Sequence, residues 1–109
     1  MSRIVVPPPV QALIDAINAA DMEAFMSCFL IAGAINDHGR VLAGTDGVRR
    51  WAESDAIGVG ARMRLVEAGT TDATTHLVFD WSSRVFNGRS EAFVTVRNGL
   101  VAEFRIPPQ

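Results

Sequence analysis

The chain has 109 residues, 49% of them hydrophobic and 20% charged, the composition of one globular domain (residues 1–109) able to bury a core without disulfide staples. Ten basic and twelve acidic residues are spread along it for a net charge of −2, so there is no basic patch to attract nucleic acid. No run approaches the roughly 18 apolar residues of a membrane helix, and Pro7-Pro8-Pro9 interrupts the only early apolar run, so neither a membrane span nor a secretory leader is expected.

A first helix should begin near Pro8 or Pro9, because proline suits a first turn. Val10, Leu13, Ile14 and Ile17 recur at helical spacing and mark its buried face. Asn18-Ala19-Ala20-Asp21 breaks the pattern, and Asp21 reads as the N-cap of a second helix, Met22 to about Phe29, with Phe25, Met26 and Phe29 on one side. Cys28, the single cysteine, rules out an internal disulfide. It reads as an inert core thiol in a reducing, cytoplasmic setting.

A strand is expected over about Ala32 to Asp37, a turn at Asp37-His38-Gly39, and a second strand over Arg40 to Ala43. Thr45 or Asp46 can cap a third helix that buries Val48, Trp51 and Ala52. Beyond residue 60 the pattern has period two. Thr75, Leu77, Phe79 and Trp81 share one face of a strand, and Leu100, Ala102, Phe104 and Ile106 share one face of another. Asn98-Gly99 predicts a type I′ hairpin, and Asn87-Gly88 predicts a second, joining a strand ending near Arg84 to one beginning near Ser90. Helices first and an antiparallel meander afterwards make an α+β architecture.

The run Ile17-Asn18-Ala19-Ala20-Asp21-Met22-Glu23-Ala24-Phe25 resembles the opening of nuclear-transport-factor-2-like (NTF2-like) proteins, within them most closely the SnoaL-like group of polyketide cyclase and ketosteroid isomerase relatives. The segment Ala34 to Trp51, a strand, an acidic turn, a glycine and a helix with a bulky aromatic, resembles theirs as well. The resemblance implies a cone: a curved antiparallel sheet with three helices packed on its concave face, a cavity inside, and a homodimer formed by the outer face of the sheet. For that outer face the alternation offers Val78, Val94, Val96 and Val101 among polar residues.

Asp37 is the candidate acid/base. In the isomerases that this chain resembles, an acidic residue at the matching place is a general base. Strand geometry agrees, since Ile35 and Asp37 share a face. The alternative is that Asp37 only bonds its own backbone within the turn. His38 is a second candidate, but adjacent strand residues point apart unless the turn bends the chain. The expected ligand walls are Phe25, Phe29, Trp51, Phe79, Trp81 and Phe104, and a buried indole N–H there would need a partner such as Asp37. The two histidines, His38 and His76, have no ligand-spaced companions, so no metal is expected, and no cofactor.

The isomerase pattern is incomplete. It needs a tyrosine near Leu13 and an acid near Phe93, and this chain has no tyrosine. A limonene-epoxide-hydrolase pattern fails too, because Asp80 has Val78, not arginine, two residues before it. Two readings follow: a domain binding a small apolar molecule, with Asp37 as acid/base, or a non-catalytic dimeric scaffold whose cone is filled by its own aromatic side chains.

Overall fold

Pro8 and Pro9 open α1 (Pro8–Asn18), where a missing N–H costs nothing and the ring presets a helical φ. The computed structural model describes residues 4–108. Val10, Leu13, Ile14, Ala16 and Ile17 form the buried face of α1. Ala20, in the left-handed region at φ 53°, reverses the chain. Asp21 then caps α2 (Met22–Ser27), its carboxylate accepting the Ala24 N–H at 3.0 Å.

The second helix is shorter than its apolar pattern predicts. It ends at Ser27, and Phe29 already belongs to β1 (Phe29–Asp37). The cause is pairing: the Val101 N–H donates to the Cys28 carbonyl at 2.7 Å, and Phe29 lies opposite Val101. A strand partner captures the chain before another helical turn forms. Cys28 is buried, as its neighbours imply, and its thiol donates to the Ala24 carbonyl at 3.2 Å.

β2 (Arg40–Ala43) returns antiparallel to β1 and leads directly into α3 (Gly44–Asp55). Neither Thr45 nor Asp46 caps this helix. Ala43 is the N-cap and no side chain bonds the first turn. Gly44, at φ 74°, makes the strand-to-helix corner that a capping residue would otherwise begin. Val48, Trp51 and Ala52 are buried as expected.

A short 3-10 turn (Ile57–Val59) precedes β3 (Arg62–Thr71), β4 (Thr74–Ser82), β5 (Asn87–Arg97) and β6 (Leu100–Ile106). The six strands form one open sheet in the order β2-β1-β6-β5-β4-β3. All neighbours are antiparallel except β1 and β6, which run parallel. Bulges between Leu65 and Glu67 and between Thr95 and Val96 bend the strands, which is how a sheet curls into a cone. The helices cover its concave face over Leu77, Phe79, Val94 and Phe104.

Three readings of the meander need correction. Asn98-Gly99 is a hairpin turn with both residues at positive φ, but Asn87-Gly88 is not. Asn87 pairs with Ser82 and Gly88 with Trp81, so both belong to β5. The actual turn is residues 83–86, where the Ser83 hydroxyl accepts the Phe86 N–H at 3.0 Å. Second, the alternation of β6 breaks at Ala102: pairing steps from Val96 with Val101 to Thr95 with Glu103, leaving Ala102 as an extra residue. Val101 and Phe104, not alternate residues, are therefore both buried. Third, Val94 and Val101 belong to the core and Val96 packs against it, so none of the three belongs to the outer face.

That outer face is mainly polar. His76 bonds Glu91 at 2.7 Å, Phe93 is sandwiched between His76 and the Arg105 guanidinium, and Asp80 holds both Arg64 and Arg89. The hydrogen bonds from Arg89, with Arg64 adding its charge, hold the Asp80 carboxyl below its ordinary value. The dimer expected of this face thus loses three of the four valines on which it rested.

Candidate functional site

The site begins at the turn between β1 and β2. His38 and Gly39 both have positive φ, 55° and 89°, and form a two-residue hairpin between Asp37 and Arg40. The Asn36 side chain closes this turn, accepting the Gly39 N–H at 3.0 Å. Asp37 is thereby released from the turn role that its sequence context offered. Ile35, two residues earlier on the same face, is fully buried, and Asp37 follows it inward.

Trp51, on α3, meets it there. Its indole N–H donates to Asp37 Oδ2 at 3.1 Å. Trp51 is 2% exposed and packs on Phe25, Trp81 and Phe104, so the donor is held by the core. Arg40 reaches the same end of the site, 3.6 Å from Asp37 Oδ2 and 3.1 Å from Asp55 Oδ2. The positive φ of His38 swings its ring back beside Asp37, but Nε2 stands 3.9 Å from Oδ1, beyond hydrogen-bond length. The backbone N–H of His38 donates instead to the Ile106 carbonyl at 2.8 Å. Asp37 and His38 are therefore neighbours at one rim without forming a dyad.

A cavity of about 360 Å³ opens at this rim. Its apolar walls are Trp51, Phe79, Trp81, Val85, Phe86 and Ile106. Its polar groups are Asp37, His38, Asp55 and Ser90. Of the six aromatics expected to form walls, Trp51, Phe79 and Trp81 do so. Phe25, Phe29 and Phe104 are buried in the core, where Phe25 and Phe104 support the Trp51 ring from behind and Phe29 packs on Phe25.

Five lining residues were not singled out as site residues from sequence, Ile106 at the end of β6 among them. Val85 and Phe86 belong to the turn at residues 83–86 and are 63% and 52% exposed. Arg84 ties that turn to the 3-10 segment, its guanidinium donating to the Gly58 carbonyl and its N–H to the Val59 carbonyl. Two exposed apolar residues in a polar turn were the available signal. Asp55 closes α3, and Ser90 lies opposite Phe79 in β5; nothing local marks either.

The positions that an isomerase would fill with oxyanion donors are occupied otherwise. Leu13 is wholly buried in the core, and Phe93 stacks on His76 on the outer face. Among the described lining residues Ser90 carries the single hydroxyl. No group of three or more His, Cys, Asp or Glu side chains among the described residues could hold a metal ion.

No family model matches the chain, and no curated protein matches it. Solved structures do. A candidate polyketide cyclase from Sinorhizobium meliloti superposes with a TM-score of 0.81 at 19% identity, covering 93% of this chain and 94% of that one. An NTF2-like protein of unknown function from Cytophaga hutchinsonii gives 0.81 at 11% identity, covering 96% and 90%. A protein with a ketosteroid isomerase-like fold from Catenulispora acidiphila, solved in complex with trimethylamine, gives 0.76 at 16% identity, covering 94% and 85%. The chain has the α+β cone fold of these structures, the fold that the resemblance of its helix pair and acidic turn implied. Among the described residues no helix is long and apolar enough to cross a membrane.

Proposed function

We propose that this is a SnoaL-like domain that binds a small apolar molecule in the cavity beside Trp51 and Trp81, with Asp37 as its acid/base group. The observation that carries the reading is the Asp37 carboxylate at the rim of an apolar-walled cavity, oriented through Oδ2 by the Trp51 indole. Among the described residues Oδ1 makes no hydrogen bond, which leaves it free to give or take a proton. A volume of 360 Å³ is at the small end of ligand sites, roughly 300–1,000 Å³, and fits one or two rings.

A cone filled by its own side chains would have Phe25, Phe29, Trp51 and Trp81 close this space. Phe25 and Phe29 turn into the core and the space beside the two indoles is left, which favours the ligand reading. With no tyrosine and few donors at the site, strong stabilisation of an oxyanion is not part of the proposal. The chemistry that fits is proton transfer to and from a weakly acidic C–H group.

The test is deuterium exchange from heavy water into the carbon beside the carbonyl of a cyclic enone, with binding followed by tryptophan fluorescence. The wild type should bind the enone and speed exchange, and Asp37→Asn should bind while losing most of the exchange. Equal exchange by the two proteins, whether both speed it or neither does, overturns the acid/base role, and absence of enone binding overturns the enone as its substrate class.

A further inference from the structure

We propose that the ligand of this cavity is an apolar amine, its ammonium group seated between Asp37 and Asp55 and its hydrocarbon body against Trp51, Trp81 and Phe79. The proposal rests on the ligand-binding part of the reading above and does not depend on proton transfer by Asp37.

The argument starts from the sign of charge at the cavity. Among the described residues no arginine lines the space, whereas two carboxylates do. Arg40 is the nearest arginine to them among the described residues, and it is not one of the lining side chains. It engages Asp55 Oδ2 at 3.1 Å and lies 3.6 Å from Asp37 Oδ2. Both contacts use the Oδ2 atoms, and the Trp51 N–H also goes to Asp37 Oδ2. Asp37 Oδ1 is left without a hydrogen bond among the described residues, 3.9 Å from His38 Nε2. One arginine against two aspartates leaves an uncompensated negative charge at the rim.

The walls agree with that sign. Trp51 and Trp81 stand with ring centroids 6.2 Å apart, tilted by 49°, and Phe79 meets Trp81 edge-on at 6.1 Å. Aromatic faces carry negative potential and attract a cation held against them. The same faces take up a hydrocarbon body by burial. An anionic ligand would meet two carboxylates with no lining arginine to receive it. A neutral ligand would cover the excess negative charge at the rim without bringing a counter-ion to it, which is unfavourable.

The experiment uses three probes with the same cyclohexyl body: cyclohexylmethylamine, cyclohexylmethanol and cyclohexanecarboxylate. Each is titrated into the full chain at neutral pH, with quenching of the two tryptophans as the readout. The amine should bind at least tenfold more tightly than the alcohol or the carboxylate. In Asp37→Asn and in Asp55→Asn, each checked for native circular dichroism, that preference should fall to about threefold or less. Saturable binding in which the alcohol matches or exceeds the amine overturns the amine proposal and leaves the apolar pocket standing. An amine preference that survives in both variants also overturns it, since these carboxylates would not be its source. Failure of all three probes to bind at millimolar concentration overturns the pocket and the amine together.

Discussion

The Trp51 indole N–H donates to Asp37 Oδ2 across 3.1 Å, joining the helix over the sheet to the end of its first strand. The bond does two things. It satisfies a donor that is otherwise buried, and it fixes which carboxylate oxygen faces the cavity. Trp51→Phe keeps an aromatic ring but removes the donor and part of the packing against Phe25, Trp81 and Phe104. The expected cost is about 1–3 kcal/mol in urea unfolding. An unchanged midpoint would show that the bond contributes nothing to the folded state.

Asn18 makes a comparable link elsewhere. Its side-chain amide donates to the Met63 carbonyl at 2.9 Å, and its oxygen accepts the Met63 N–H at 2.7 Å, pinning the end of α1 to the start of β3. Asn18→Ala removes the partner of both backbone groups and should destabilise the fold by about 1–3 kcal/mol. Hydrogen exchange at the Met63 amide should rise with it, which separates this link from a general loss of helix.

Two glycines should both be costly to replace, for different reasons. At Gly58 an added Cβ would stand 1.8 Å from the Glu53 carbonyl oxygen, so the backbone of α3 must move. Gly58→Ala should cost at least about 1–3 kcal/mol and should alter tryptophan fluorescence, because Arg84 anchors the turn bearing Val85 and Phe86 to this segment. Gly39, at φ 89°, has open space around it. Gly39→Ala should cost about 1–2 kcal/mol from its backbone conformation alone.

Asp80 predicts a pH dependence. Arg89 and Arg64 lower its native pKa, so the ionised form is favoured by folding. The stabilisation is complete above the unfolded value of about 3.9 and is lost as pH falls through the lowered native value. Thermal unfolding of the wild type and Asp80→Asn should therefore differ at pH 7 and converge in acid. Because the carboxylate is exposed, the difference should be small and should shrink with added salt.

The starts of α1 and α2, the covered strand face of Thr75, Leu77, Phe79 and Trp81, and the Asn98-Gly99 hairpin were legible in the sequence, because each depends on local spacing or turn chemistry. The end of α2 was not, since it is set by Val101, more than seventy residues away. Nor was the inward turn of Val101, which depends on one extra residue at Ala102 and the partner strand's register. At the site, the face of Asp37 and its indole partner could be anticipated from strand parity. Asp55 and Phe86 could not, because only the curvature of the sheet brings their two segments to the same rim.

The parallel pair of β1 and β6 also bears on how the chain is made. β6 is the last strand in sequence but lies between β1 and β5, near the middle of the sheet. Until it is available, β1–β2 and β3–β4–β5 are separate hairpin sets with no hydrogen bonds between them. During synthesis both would present unpaired edges until β6 has emerged from the ribosome and can join them. Folding of this cone is therefore expected to be slow to begin and abrupt to finish, with β6 as the closing piece.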